Sequence, residues 1–257
     1  MLDHISHSQI STWLRCPRQW EFRYVRGLKE PPSGALIEGG SYHSTLEVNF
    51  KQKINTHEDM ILDDCLDVYS DEWDKRVSRE EYIDWGKLRA GQIKDEGASL
   101  VSEYMASTST FVQPVTVEET VVTEIAGVRF VCIIDIIDSR KIVIDHKTSA
   151  RKFSQIDVDM DIQASAEAFV LNRPIMFQNH VAVKTKMPKI QVVKSYRTRT
   201  DIEWWEEMAI QVLTQMKSGI APPRPVDAFG KAGFWCSKRF CGFHDMCRGG
   251  TARTVSV

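Results

Sequence analysis

The chain has 257 residues, with 33 lysines and arginines against 35 aspartates and glutamates, and a formal net charge of −2. This balance excludes a histone-like basic protein, so any nucleic-acid surface must be local. No apolar run reaches the roughly 18 residues that a membrane-spanning helix needs, and the first residues lack the basic and apolar regions of a secretion signal. We therefore expect a soluble cytoplasmic protein without a membrane partner.

The pattern of apolar residues predicts one α/β domain over residues 1–257, in three parts. Residues 1–90 form a helical N-terminal part, with helices over 8–16, 40–50 and 58–76. Residues 91–200 form a core in which a helix, a three-stranded meander, a second helix and further strands build a mixed central sheet. Residues 201–257 form a long helix and a cysteine-bearing tail. The core segments are predicted at 91–105, 115–124, 128–137, 141–147, 158–171, 179–184 and 190–197.

The last strand of the meander, IVIDHKTS, carries the sharpest chemical pattern. Asp145 and Lys147 are two positions apart, so their side chains point to the same face of the strand. Hairpin pairing brings Asp135 of the preceding strand close to Asp145. Two carboxylates and a lysine at strand ends suit metal-assisted phosphodiester hydrolysis, in which the carboxylates hold Mg²⁺ and the ammonium orients water or neutralises developing charge. An isolated D-x-K also occurs by chance as a solvated ion pair.

Four segments of the chain carry motifs in a fixed order. They are SHSQISTWLRCPRQWEFRY near the start, GGSYHSTLE, the D-x-K strand with Gln163 downstream of it, and the tail FWCSKRFCGFHDMC. In this order they resemble the RecB/Cas4-like branch of the PD-(D/E)XK nuclease superfamily, over Ser6 to Cys247. The resemblance implies a restriction-endonuclease-like core with an N-terminal helical embellishment and an iron-sulfur tail.

The resemblance also implies a role for individual residues. His43, Asp135 and Asp145 would be ligands of Mg²⁺ or Mn²⁺, with the backbone carbonyl of His146 as a fourth candidate, and Lys147 would be the catalytic lysine. Gln163 stands where the family has the glutamine of a Q-x-x-x-Y motif. The tyrosine position of that motif holds Glu167, and a carboxylate there would repel a phosphate unless it binds metal or pairs with a base.

The six cysteines are too few for a disulfide scaffold, and three of them crowd into the tail. Cys236, Cys241 and Cys247 place three soft ligands in one loop. By resemblance, Cys16 completes four thiolates that suit a [4Fe-4S] cluster. Zn²⁺, held by the four thiolates or by three with His244, is the alternative, and unrelated free thiols are the third interpretation.

The segment from 168 to 200 holds seven basic residues and no acidic ones. Such a segment suits contacts with a phosphate backbone. A solvated basic hairpin without a nucleic-acid partner is the alternative. We predict DNA contacts at Lys184, Lys186, Lys194 and Arg197.

These observations predict a metal-dependent DNA nuclease, and the resemblance favours an exonuclease that acts on single strands or DNA ends. The chain has no G-x-x-x-x-G-K-[ST] loop, so unwinding would need a helicase partner. The alternative is a catalytically silent Fe-S or Zn subunit that binds DNA within a recombination or CRISPR-adaptation complex. A degenerate scaffold would have little reason to keep His43, Asp135, Asp145 and Lys147 together. An RNA substrate also stays open.

Overall fold

Helices dominate the first hundred residues of the computed structural model, which describes residues 3–223, 235–238 and 240–249. None of the helices in these ranges is long and apolar enough to cross a membrane. The helices of this part are α1 (His7–Arg15), α2 (Pro17–Trp20), α3 (Gly34–Thr56), α4 (Leu62–Ser78) and α5 (Ala90–Ser107).

Helix α3 begins at Gly34 rather than at the predicted Gly40. The Ser33 hydroxyl accepts a hydrogen bond from the Leu36 amide at 3.2 Å and caps the helix there. The glycine pair therefore lies inside the helix and not before it. A Cβ on Gly40 would lie 2.6 Å from the Arg76 guanidinium, so a larger residue there would require the arginine side chain to move.

A five-stranded sheet has the order β1-β2-β3-β4-β5. The β2–β3 and β4–β5 pairs are antiparallel, and the β3–β4 pair is parallel. A parallel pair needs a crossover connection, which two short helices provide. The predicted mixed sheet of an α/β fold is thereby confirmed. The strands are β1 (Pro114–Ile125), β2 (Val128–Asp138), β3 (Val143–Ser149), β4 (Ile175–Val183) and β5 (Lys189–Arg197). The crossover helices are α6 (Gln155–Asp159) and α7 (Ile162–Val170), and α8 (Arg199–Lys217) follows the sheet.

Two segment boundaries around β3 differ from the prediction because short polar side chains bind the backbone. The predicted helix over 158–171 is interrupted, since the Asp161 side chain caps α7 by accepting the Gln163 amide at 2.9 Å. The strand predicted from Lys141 begins at Val143, since the Asp138 carboxylate accepts the amides of Arg140 and Ile142, each at 2.9 Å. Both changes leave Asp145 and Lys147 on the strand.

The chain divides by its internal contacts into two compact units, each discontinuous in sequence. The first comprises Met1–Pro31, Val122–Val131 and Glu203–Val257, and the second comprises Pro32–Val121 and Cys132–Ile202. A single domain over the whole chain stays a prediction. Within the first unit, the Trp13 and Trp20 rings meet edge to face at 5.0 Å, and the Phe130 and Trp205 rings do so at 5.3 Å.

The core of the second unit joins α3, α4 and α5 to one face of the sheet. Burying large apolar side chains there stabilises the unit by roughly 1.5–3 kcal/mol for each side chain. The helical layer therefore holds the strands that carry the predicted chemical residues. Core side chains include Leu46, Phe50, Tyr69, Leu100, Ile136 and Ile144.

A chain of buried polar groups also crosses this core. The Tyr104 hydroxyl lies 2.9 Å from His146 Nε2 and 2.9 Å from His180 Nδ1. His180 Nε2 lies 3.1 Å from Gln178 Oε1. All four side chains are buried. Because a phenol has one proton to donate, one imidazole accepts that proton and the other donates to the phenol oxygen.

We expect Tyr104→Phe to lower the free energy of unfolding by about 2 kcal/mol or more, since it leaves two buried ring nitrogens without their partner. Urea unfolding measures the change. Tyr82→Phe, at a side chain that is 66% exposed, is the matched control. An equal effect of the two substitutions would contradict the structural role of the Tyr104 hydroxyl.

Candidate active site

His43, Glu118 and Asp135 come together within the second unit. His43 lies on α3, Glu118 on β1 and Asp135 on β2. One ligand atom from each side chain lies within 4.8 Å of the other two, and His43 Nδ1 lies 3.5 Å from Asp135 Oδ2. An imidazole and two carboxylates so close together form a donor set for a divalent ion such as Mg²⁺ or Mn²⁺.

Glu118 was not predicted, and no feature of the sequence marks it, since Glu119 and Glu124 belong to the same strand. Its backbone has a φ of 52°, in the left-handed region that strand residues rarely adopt. Such a distortion breaks the alternation of a strand and redirects a side chain. Burial raises the pKa of Glu118 to about 7, and the nearby Asp135 carboxylate adds to the shift. A bound cation would favour the ionised form.

Asp135 and His43 differ in charge near neutral pH. Burial tends to raise the pKa of Asp135, but its contacts with His146 and His43 hold that pKa well below the usual range. The backbone N–H of His146 donates to Asp135 Oδ2 at 2.9 Å. Burial lowers the pKa of His43 to about 4, which leaves a lone pair for a metal. The backbone of His146, predicted to supply a carbonyl ligand, raises the pKa of His43 and so opposes the effect of burial.

The predicted D-x-K pair lies on β3. The antiparallel pairing of Ile136 with Ile144 places Asp135 and Asp145 opposite each other, as the sequence predicts. Asp145 lies outside the group of three ligand atoms that converge within 4.8 Å. It is 2% exposed. Its closest cationic partner is Lys147, whose Nζ lies 2.9 Å from Asp145 Oδ1.

Burial raises the pKa of Asp145, the Lys147 ammonium opposes that shift, and the Asp135 carboxylate adds to it. For Lys147, burial tends to lower the pKa, but Asp145 and Asp135 raise it above its usual value. The lysine is therefore a fixed positive charge beside the carboxylates.

Gln163 joins this pair from the start of α7. Its Oε1 accepts a hydrogen bond from Lys147 Nζ at 2.8 Å, and its Nε2 donates to Asp145 Oδ1 at 2.5 Å. Glu167, one turn later on the same helix, accepts a second hydrogen bond from Gln163 Nε2 at 3.0 Å. The structure thus brings the glutamine to the D-x-K pair.

The four cysteines predicted as cluster ligands lie in the first unit. Cys16, Cys236, Cys241 and Cys247 all line one pocket, together with His244. Burial raises the pKa of the Cys241 and Cys247 thiols, and the neighbouring Cys16 and Cys236 add to both shifts. Cys65 and Cys132 are buried elsewhere in the fold. The four thiols therefore lie around the same pocket, and the cluster that they would hold stays a prediction.

The predicted DNA contacts divide into two groups. Lys186 and Lys194 are exposed. The Lys184 side chain is 12% exposed, and its Nζ lies 2.5 Å from Glu38 Oε2. Arg197 is 3% exposed, and its guanidinium donates within the fold to Ser165, Ser195, Val158 and Asp161. Lys184 and Arg197 are engaged inside the fold, which corrects their assignment as phosphate contacts.

The model of the PD-(D/E)XK nuclease superfamily matches residues 4–248. The chain therefore belongs to this superfamily. The match includes His43, Glu118, Asp135 and the D-x-K strand. No curated protein matches the chain.

Two solved structures are similar to the chain. A candidate exonuclease from Eubacterium rectale is 12% identical, with a TM-score of 0.55 over 88% of this chain and 85% of that chain. At this identity the likeness shows a shared fold. SSO0001 is 14% identical, with a TM-score of 0.37 over 94% of this chain and 95% of that chain, a similarity too low to carry an argument.

Proposed function

We propose that the protein is a metal-dependent DNA nuclease of the RecB/Cas4-like branch, which acts as an exonuclease on single strands or DNA ends. One observation carries the proposal: a histidine and two carboxylates converge beside a lysine that is held by an aspartate and a glutamine. A solvated ion pair would not bury Asp145 or engage Gln163.

The residues present fit a divalent cation. Carboxylate oxygens and a neutral imidazole are suitable donors for Mg²⁺ or Mn²⁺, and we assign His43, Glu118 and Asp135 to that role, with Asp145 and the His146 carbonyl beside them. When bound, the ion supplies positive charge to the scissile phosphate and lowers the pKa of water.

Lys147 contributes a second positive charge. Its ammonium is fixed by Asp145 and Gln163 at 2.9 and 2.8 Å, so it needs little reorganisation when negative charge develops on the phosphate. Charge placed in advance in this way lowers an activation barrier more than a mobile side chain does.

We also propose that Cys16, Cys236, Cys241 and Cys247 hold a [4Fe-4S] cluster. Four free thiols around one pocket form a soft donor set that suits the cluster. The alternative Zn²⁺ site would use the same sulfurs or three of them with His244. In either case the group joins two ends of the chain, and its role is structural.

The proposed function is tested with end-labelled single- and double-stranded DNA, circular single-stranded DNA and RNA, each with Mg²⁺, Mn²⁺ or EDTA. We expect progressive loss of linear DNA from its ends with either metal, no loss with EDTA, and intact circles. Cleavage of circles would indicate an endonuclease, and preferential loss of RNA would indicate a ribonuclease. DNA binding without cleavage under every condition would favour the scaffold of a recombination or CRISPR-adaptation complex.

The exposed lysines of the basic segment lead to a further prediction. Lys186→Gln with Lys194→Gln should weaken DNA binding and reduce the slope of log affinity against log salt by about one to two units. The slope falls because binding releases fewer counterions when fewer phosphate contacts form. Fluorescence anisotropy over a salt series, with Ca²⁺ in place of Mg²⁺, gives the slope.

The matched control for these lysines removes the same charge elsewhere. Lys75→Gln with Lys87→Gln does so at two exposed positions, of which Lys75 lies on α4. An equal change of slope in both double variants would assign residues 186 and 194 to a solvated surface without a DNA contact.

A further inference from the structure

The Gln163 side chain has all of its hydrogen-bonding groups in use. Its Nε2 lies 2.5 Å from Asp145 Oδ1 and 3.0 Å from Glu167 Oε1, and its Oε1 lies 2.8 Å from Lys147 Nζ. A primary amide has two N–H groups and one carbonyl. With an oxygen of Asp145 and an oxygen of Glu167 on the nitrogen side, only the carbonyl oxygen is left to face the ammonium.

Glu167 is built into this arrangement from inside the fold. It is 1% exposed, and it lies four residues after Gln163 on α7, so the two side chains share a helix face. Its Oε2 has no hydrogen-bond partner within the part of the chain that the structure describes. The Glu167 carboxyl group is linked to the D-x-K pair by the Gln163 amide, which is hydrogen-bonded to Glu167, Asp145 and Lys147.

We propose that Glu167 is a positioning residue, which orients the Gln163 amide so that its carbonyl oxygen holds Lys147. This inference rests on the proposed function. Without an acceptor at position 167, Gln163 Nε2 has only Asp145 as a partner, and its unpaired N–H favours other side-chain rotamers in which Gln163 Oε1 no longer accepts from Lys147. The ammonium would then lose one of its two fixed acceptors.

Three substitutions at position 167 separate the effect of the hydrogen-bond acceptor from the effect of packing. In Glu167→Gln, the carbonyl oxygen of the new amide still accepts from Gln163 Nε2. Glu167→Met and Glu167→Leu fill a similar volume and offer no such acceptor. If Glu167 has a purely structural role, kcat should follow the stability of the variants. If it is a positioning residue, kcat should follow the presence of the acceptor.

The test measures kcat and KM on end-labelled single-stranded DNA with Mg²⁺, DNA affinity with Ca²⁺, and the melting temperature. We expect kcat to fall about tenfold or more in Glu167→Met and Glu167→Leu and less than threefold in Glu167→Gln. KM and DNA affinity should stay within about twofold of the parent protein. Two apolar variants are used so that the comparison does not depend on the folding of one.

A double-mutant cycle shows whether Glu167 acts through Gln163. On a Gln163→Ala background, the change at position 167 should lower kcat by less than twofold. If the fold-losses of kcat in the two single variants multiply in the double variant, the inference is overturned. Equal losses of kcat in Glu167→Gln and Glu167→Met would also overturn it. An active parent protein with unchanged kcat in Glu167→Met and Glu167→Leu would also overturn it and leave the proposed function intact, whereas an inactive parent protein would reject the proposed function itself.

Discussion

Lys147→Ala is expected to lower the rate of DNA cleavage by about a thousandfold or more, equivalent to a barrier increase of about 4 kcal/mol. The substitution removes the Lys147 ammonium. In the proposed mechanism, this fixed positive charge stabilises the negative charge that develops on the phosphate. Single-turnover cleavage with saturating Mg²⁺ measures the loss. Asp145→Asn, which keeps the shape of a side chain that is 2% exposed, should cause a loss of similar size.

DNA affinity with Ca²⁺ should change little in either variant, because the exposed lysines predicted to bind the DNA backbone, Lys186 and Lys194, are unchanged and Lys147 acts on charge that develops during the reaction. Lys152→Ala is the matched control, since Lys152 is an exposed lysine shortly after the same strand. Near-normal turnover in Lys147→Ala or in Asp145→Asn would show that the assigned site is wrong. Circular dichroism and the melting temperature separate loss of chemistry from loss of fold.

The second large effect concerns the cysteine pocket. Protein purified without oxygen should be brown, absorb broadly at about 400 nm, and contain iron and sulfide. Cys16→Ser or Cys241→Ser should remove this absorption and lower the melting temperature. A crosslink between Cys16 and the tail closes a long loop, for which the stabilisation reaches roughly 5 kcal/mol by analogy with disulfides. Activity would then be lost through unfolding.

Cys65→Ala is the control, because Cys65 is a buried thiol outside the cysteine pocket. It should keep the iron and sulfide content of the parent protein. Zinc in a one-to-one ratio without sulfide, in protein never exposed to oxygen, would reject the iron-sulfur assignment in favour of the zinc site.

Local periodicity was sufficient to predict that Asp135, Asp145 and Lys147 lie close together, whereas their roles were implied by the resemblance. The alternation of a strand puts Asp145 and Lys147 on one face, and a short hairpin brings Asp135 opposite, so no distant information is needed. The outcome at Glu118 differs because its position depends on a left-handed backbone residue inside β1. Strand propensity does not encode such a distortion, so periodicity alone could not single out this glutamate.

The errors among the basic residues have a different physical origin. Charge patterning identifies a basic segment, but it does not show which of its side chains meet a partner inside the fold. Lys184 is held by Glu38, which is 146 positions away in sequence, and Arg197 is held by groups on and near α6 and α7. These partners are brought together only by tertiary packing, so local sequence cannot reveal them.

The His146 side chain, between Asp145 and Lys147, affects how β3 aligns within the sheet. His146 faces the helical layer, where it is bound by Tyr104, while its two neighbours form the D-x-K pair. A slip of β3 by one residue would exchange these faces, placing an aspartate and a lysine against an apolar layer and losing the buried histidine contact. The middle position of the motif thus favours the observed alignment of the strand over an alignment shifted by one residue.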